Sequence, residues 1–260
     1  MARIVDAHAH IGRTITSDVG QDIATWATSM ATAGIDSSIV SVAAGGLQSE
    51  GIIDTRRAND AIAAAVASDP ARFPIGLASV EVRHGPAGLS EVNRAFDELG
   101  LSGLAFHATF EGFSVDSPAF LAIIEEIGAR RALVLIHSTP DSKAGPIEIG
   151  RVAESFPHLE FVMGHPVFTE EQRVQAAETV LAHPNVNLDI AYQDDPGATE
   201  FFVREVGASR VLFGSDAPFF EPARVIASVR TASITDEDRE QIFATNAERL
   251  IAYATGHITS

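Results

Sequence analysis

Short runs of β-branched and other apolar residues alternate with longer amphipathic stretches from one end of the chain to the other. That alternation marks a parallel sheet built from repeated strand–helix units. It predicts eight strands, near Arg3–His8, Ser37–Val42, Ile75–Val80, Gly103–His107, Leu133–His137, Glu160–Gly164, Val186–Ile190 and Arg210–Phe213. Helices are expected between them, among them Asp54–Ser68 with its alanine-rich face, Pro118–Ala129, Glu170–Ala182 and Pro222–Thr231. No linker, low-complexity tract or composition shift interrupts the pattern, so residues 1–260 read as one domain.

Eight parallel strands fit either a closed (β/α)8 TIM barrel or an open doubly wound sheet. Open sheets of that kind usually bind a nucleotide or phosphate through a glycine-rich first turn. Here the first turn carries His8-Ala9-His10 instead, and 260 residues match the roughly 250 of a single barrel. The expected fold is therefore an α/β TIM barrel with an extra C-terminal helix. That helix should begin near Asp236, with Thr235 as N-cap, Asp238 three residues on, and Ile242, Phe243 and Leu250 facing the barrel.

Composition removes several function classes. A formal charge of −17 argues against a nucleic-acid or anionic-membrane partner, both of which need basic patches. No run approaches the roughly 20 apolar residues of a spanning helix, and the start Met1-Ala2-Arg3-Ile4-Val5-Asp6 lacks the apolar stretch of a signal peptide, so a cytoplasmic location is expected. With no cysteine there is no disulfide, thiolate ligand or thiol nucleophile. The one lysine, Lys143, lies in the polar run Asp141-Ser142-Lys143-Ala144-Gly145-Pro146, which reads as a solvated loop unsuited to imine chemistry. Nucleotide-binding and serine-hydrolase motifs are absent.

Histidine placement carries the chemistry. In an extended strand alternate side chains share a face, so His8 and His10 project together and can share one ion. His107, His137 and His165 close further predicted strands and Asp216 follows the eighth, which puts all six on the rim where barrel enzymes keep their catalytic groups. His84, His158, His183 and His257 fall in turns or the tail and read as solvated. Singly, each rim residue has a plainer reading: His137 as a core histidine, Asp216 as a helix N-cap, His107 as structural rather than substrate-contacting. Against these, the apolar run before His137 supplies no hydrogen-bond partner, Pro218 delays any helix after Asp216, and Pro166 should hold His165 extended.

These residues resemble those of the amidohydrolase superfamily of metal-dependent barrels. The likeness is to its amidohydrolase-related branch, which includes aminocarboxymuconate-semialdehyde decarboxylase and related aromatic-acid decarboxylases. Asp6-Ala7-His8-Ala9-His10 resembles the first-strand motif and Val134-Leu135-Ile136-His137 the fifth-strand ligand. Met163-Gly164-His165-Pro166 resembles the sixth-strand histidine, and Leu212-Phe213-Gly214-Ser215-Asp216-Ala217-Pro218 the eighth-strand aspartate. Ala244-Thr245-Asn246-Ala247-Glu248-Arg249-Leu250 is similar to the closing helix, with Asn246 structural. Many binuclear members bridge two metals with a fourth-strand lysine, which Gly103-Leu104-Ala105-Phe106-His107 lacks.

The resemblance thus implies one divalent ion held by His8, His10, His137 and Asp216. Zinc suits that set best, and manganese or iron are also compatible. It further implies that His165 orients or deprotonates the reacting water, with Asp216 assisting as ligand and base. The leading expectation is hydrolysis of a small amide, ester or lactone by a metal-activated water. The alternative is non-oxidative decarboxylation of a planar acid, with Arg13 or Arg83 as carboxylate anchor and His107 as a substrate contact. A non-catalytic metal-binding barrel is a third reading, disfavoured because a closed structural site has no use for His165. The loops Thr14–Val19, Ala43–Gly51, Phe110–Asp116, Thr139–Pro146 and Tyr192–Pro196 carry no readable substrate code, and a homo-oligomer stays open.

Overall fold

The computed structural model describes residues 3–13, 19–43 and 50–256. The expected loops at 14–19 and 43–51 lie mostly outside these residues, as does His257. The strands are β1 (Val5–Arg13), β2 (Gly20–Gln21), β3 (Ser37–Val42), β4 (Gly76–Leu77), β5 (Gly103–Phe106), β6 (Leu133–His137), β7 (Glu160–Gly164), β8 (Val186–Asp189) and β9 (Val211–Leu212). β2 is a short antiparallel hairpin partner of β1 that the sequence reading lacked. The remaining eight are the predicted parallel strands.

Hydrogen bonding orders them as β2-β1-β3-β4 and β5-β6-β7-β8-β9, and two bridges join these halves into a barrel. Ala78 pairs with Leu104 on one side, and Ala9 pairs with Ala217 on the other. The second seam is reinforced by Ala7 N–H to Phe213 O (2.9 Å), His10 N–H to Ala217 O (2.8 Å) and Asp216 N–H to His8 O (2.8 Å). β4 and β9 are shorter than their apolar runs suggested, because those runs pass into bridges and turns.

Around the sheet run α1 (Ile23–Ala33), α2 (Ile52–Ser68), α3 (Pro86–Asp97), α4 (Ala108–Glu111), α5 (Pro118–Ile127), α6 (Pro146–Ser155), α7 (Glu170–Ala182), α8 (Pro196–Val206) and α9 (Pro222–Thr231). α3, α5, α6, α8 and α9 begin on proline, whose missing N–H costs nothing in a first turn. Hydroxyl or carboxylate N-caps from Asp22, Ser117, Thr169 and Asp195 satisfy first-turn N–H groups of α1, α5, α7 and α8.

The chain closes with α10 (Asp236–Glu240), a π-turn (Gln241–Thr245) and α11 (Asn246–Ala254). Thr235 and Asp238 form the expected capping box. The π-turn leaves the Ile242 carbonyl to accept from Phe213 N–H at 2.8 Å, which ties this helix to the end of β9. Ile242 and Phe243 pack in the outer layer between sheet and helices, while Ala244, Ala247 and Leu250 join the barrel interior. Of the three residues expected to face the barrel, only Leu250 reaches its inside. Asn246 is structural, as expected: it is buried and donates to Ala208 O and Val211 O, each at 2.8 Å.

Strand alternation divides the barrel interior into two levels. Val5, Ala7, Ile39, Leu77, Ala105, Leu133, Leu135, Val162 and Leu212 make an apolar floor sealed by the closing helix. The next inward position along each strand is polar or glycine: Ser41, His107, His137, Gly164, Asp189 and Gly214. β1 needs a correction to join this upper level. Strict alternation from Val5 and Ala7 would bring Ala9 inward and send both histidines out to the helices. A register shift between Asp6 and Ala9 against β3 rephases the strand. Asp6 holds the irregularity, its Oδ1 accepting from His8 N–H at 2.9 Å and Ser215 N–H at 3.1 Å. β1 then runs on to Arg13, so His8 and His10 lie within the strand and do not end it.

Candidate metal centre

His8, His10, His137 and Asp216 are buried and bring one donor atom each within 4.8 Å of one another. His8 Nε2 lies 3.0 Å from His10 Nε2, and Asp216 Oδ1 lies 3.0 Å from His10 Nε2 and 3.3 Å from His8 Nε2. Groups outside the cluster decide what those nitrogens carry. His8 Nδ1 donates to Asp189 Oδ2 at 2.8 Å, and His10 Nδ1 meets Ser41 Oγ at 2.8 Å. With an ion in place, both rings would keep their protons at Nδ1 and turn neutral Nε2 atoms to the point that Asp216 also faces. Three imidazoles and a carboxylate converging in this way fit a divalent metal, and spacings of 3.0–3.3 Å suit ligands about 2 Å from one ion.

Several local features put the side chains there. Gly164 and Gly214 leave room for the His8 ring: a Cβ on Gly214 would come 2.7 Å from His8 Cβ, and one on Gly164 3.0 Å from His8 Cε1. Asp216 (φ 60°) and His165 (φ 39°) both adopt left-handed backbone, a costly geometry that concentrates at functional sites. His165 is thus not held extended by Pro166. A tight turn from Val167 N–H to His165 O (2.7 Å) bends the chain and brings its ring over the cluster. No helix starts at Asp216, and α9 begins only at Pro222.

His165 is buried, with Nε2 3.0 Å from His137 Nδ1 and with Nδ1 lacking any partner. His137 therefore does have the hydrogen-bond partner that its own apolar run could not supply. Burial lowers the pKa of His165, and burial followed by the charge on His8 holds His137 well below the usual imidazole range. His10 is lowered for the same reasons, its Asp216 bond opposing the shift. Burial opposes charge on His8, yet the carboxylates of Asp189, Asp216 and Asp6 together outweigh it and push His8 up to about 9. In Asp216 burial is outweighed by the His10 bond and the His8 charge, giving about 2.

The other expectations divide. His107 caps α4, its Nδ1 accepting from Phe110 N–H at 3.4 Å, and its ring stacks on Phe110 (3.9 Å) and lies 4.7 Å from His137. Burial lowers its pKa to about 4. Arg13 and Arg83 are exposed, and among the described residues neither bonds to the cluster; Arg83 pairs with Glu81. Of the histidines expected to be solvated, His158 is exposed, whereas His84 and His183 are half-buried, His84 against Thr55 Oγ1 at 3.1 Å. Lys143 is exposed, as expected.

Sequence reasoning missed Asp189 and Ser41. An acidic residue inside the apolar run Val186-Asn187-Leu188-Asp189-Ile190 is the signal that could have found the first. Ser41 had none beyond its inward phase in β3.

Aromatic side chains surround the mouth. Phe168 meets the His165 ring at 5.3 Å and Tyr192 at 5.8 Å, Tyr192 meets Phe220 at 5.3 Å, and Phe219 lies 5.8 Å from His10. Phe110, Phe168 and Tyr192 keep 51%, 47% and 41% of their surface exposed, unlike the fully covered core aromatics.

Solved structures share this architecture. A 5-carboxyvanillate decarboxylase from Sphingomonas paucimobilis superposes with a TM-score of 0.74 at 18% identity, covering 97% of this chain and all of the other. A dihydroxybenzoic acid decarboxylase from a Polaromonas species, solved with manganese and the inhibitor 2-nitroresorcinol, gives 0.76 at 19% identity over 96% of this chain and 97% of its own. At such identities the likeness establishes the barrel fold alone. In sequence, 2-amino-3-carboxymuconate-6-semialdehyde decarboxylase of Dictyostelium discoideum is 26% identical over 222 residues, which is 69% of this chain and 62% of that relative. Residues 5–252, a span that includes every donor of the cluster, match the family described as amidohydrolase. The chain is an enzyme of the amidohydrolase family.

Proposed function

We propose that this protein is a metal-dependent, non-oxidative decarboxylase of a small planar acid, aromatic or conjugated. The observation that carries this reading is the half-exposed aromatic wall over the donor cluster, formed by Phe110, Phe168 and Tyr192 beside His107 and His165. Flat rings stack on such surfaces, whereas small aliphatic amides and lactones gain little from them. The decarboxylases among the sequence and structural relatives support it, and they move the balance away from the hydrolysis expected first.

Within that reading, His8, His10, His137 and Asp216 hold one divalent ion. Zinc and manganese both suit the donors, and manganese is the ion in one relative. When bound, the ion supplies positive charge that anchors and polarises an acidic substrate. His107, neutral and stacked on Phe110, borders the ring's place. His165 shares one proton with His137 across their 3.0 Å contact and keeps buried Nδ1 free to face the substrate. Decarboxylation needs a proton delivered to the carbon that bears the carboxylate. The C–C bond then breaks, its electron pair returns to the conjugated system, and carbon dioxide leaves. His165 is the group placed to pass that proton. The aromatic wall keeps bulk water from the reacting carbon.

The test is an assay of metal-loaded protein against panels of aromatic and conjugated carboxylic acids, with carbon dioxide release measured alongside substrate loss. Equal amounts of the two support the proposal. Turnover of an amide, ester or lactone with no acid decarboxylated would restore the hydrolase reading.

A further inference from the structure

Asp189 stands at the end of β8, is fully buried, and spends both carboxylate oxygens on the centre. Oδ2 accepts from His8 Nδ1–H at 2.8 Å. Oδ1 accepts from His165 N–H at 2.9 Å and from Ala191 N–H at 3.0 Å. One side chain thus touches the ring of a metal donor on β1 and the backbone of the turn after β7, segments 157 residues apart as His8 and His165 are numbered. The Ala191 bond extends its reach to the chain just before Tyr192, which has φ 58° and faces the His165 ring at 6.0 Å.

We propose that Asp189 is the positioning residue of this centre: it fixes His8 in its metal-binding tautomer and, through its other oxygen, pins the strained turn that presents His165. The proposal rests on the metal-dependent reading above but not on decarboxylation. Histidine ligands depend on such a partner for both orientation and basicity, and losing it typically costs about 10–100-fold in metal affinity. What distinguishes Asp189 is that one rigid carboxylate serves donor and proton-handling group together, so their relative placement is set by a single covalent unit.

The isosteric change Asp189→Asn separates the two halves. Two backbone N–H groups face Oδ1, so the amide must seat its oxygen there and turn its NH2 toward His8. His8 Nδ1 then has to accept, which moves the ring proton to Nε2, the atom aimed at His10 and Asp216. Asp189→Ala removes both arms. Affinity for zinc and manganese is measured by competition with a coloured chelator, and exchange of the His165 amide hydrogen by NMR.

Asp189→Asn should bind metal about 10–100-fold more weakly with His165 amide protection retained, and Asp189→Ala should lose both. A folded Asp189→Asn protein with wild-type metal affinity would overturn the proposal, and so would unchanged His165 amide exchange in Asp189→Ala. The unsubstituted, zinc-loaded protein gives a check independent of any variant's folding: its imidazole nitrogen spectrum should show the His8 proton on Nδ1, and its absence there would equally refute the assignment. None of these readouts involves turnover, so a failed decarboxylase assay leaves them standing.

Discussion

Replacing His165 with asparagine isolates its chemistry from its architecture. The residue sits at φ 39°, where asparagine is among the few side chains that settle readily, while alanine would add strain of about 1–2 kcal/mol. The backbone N–H that bonds Asp189 is untouched. Two effects remain. His137 loses the ring partner 3.0 Å from its Nδ1, which should weaken metal binding by about 10–100-fold. The proton-passing group is also gone, which should lower turnover by roughly 10²–10⁴, or about 2.7–5.4 kcal/mol of barrier. The assay is therefore kcat measured with metal titrated to saturation, so that only the second effect survives. His165 must carry the proton it delivers, and burial lowers its pKa from its ordinary 6.5, so parent turnover should decline as pH rises through a value below 6.5, a limb the variant should lose. Parent-like turnover at saturating metal would remove His165 from the mechanism. A variant that cannot be reloaded at any metal concentration would make it a ligand.

Ser41→Ala should leave the fold intact and cut metal affinity about 10-fold by freeing the His10 ring, measured by the same chelator competition. Gly214→Ala forces a methyl to within 2.7 Å of His8 Cβ, so thermal unfolding should show a loss of about 1–3 kcal/mol together with weakened metal binding; an unchanged protein would show that β1 has slack there. Glu111 is a buried carboxyl that burial, then the nearby Glu81 charge, raise to about 8 against its bond from His107 N–H. The folded chain therefore holds a proton that the unfolded chain releases near 4.5, and the stability this provides is full below 4.5 and disappears as pH rises through about 8. Glu111→Gln keeps the His107 bond and should flatten the decline in melting temperature across that window; an identical pH profile in both proteins would refute the assignment.

The strand–helix alternation was readable because buried parallel strands are apolar on both faces while their helices are amphipathic. For the same reason the helices at Glu170–Ala182 and Pro222–Thr231 have the ends their sequence implies. The rim residues were readable because polar side chains ending apolar runs stand out. What resisted reading depends on contacts distant in the chain. Nothing near Ala7 announces that β1 changes phase there, since the device holding it is an Asp6 bond to Ser215 N–H, 209 residues away. Asp189 is hidden likewise, its partners lying on β1 and after β7. His165 misled because the rule for residues before proline disfavours right-handed helix without choosing between extended and left-handed backbone. The four-residue α4 overlaps the start of the stretch Phe110–Asp116 read as loop, being too short for any periodicity to show.

The seam where β1 meets the segment after β9 gives the metal centre a mechanical role. His8 and His10 lie on one side of that seam and Asp216 on the other. An ion shared among them would act as a clasp across the join that couples the first strand to the last, so the barrel could not spring open there without first giving up its ion. Ligand that binds only the closed form stabilises it by about 4 kcal/mol at a thousandfold excess over Kd. The same clasp would slow opening as well as oppose it. Stripping the metal should thus leave a barrel that still closes but unzips sooner, with proteases and hydrogen exchange finding the β1 edge before any other strand.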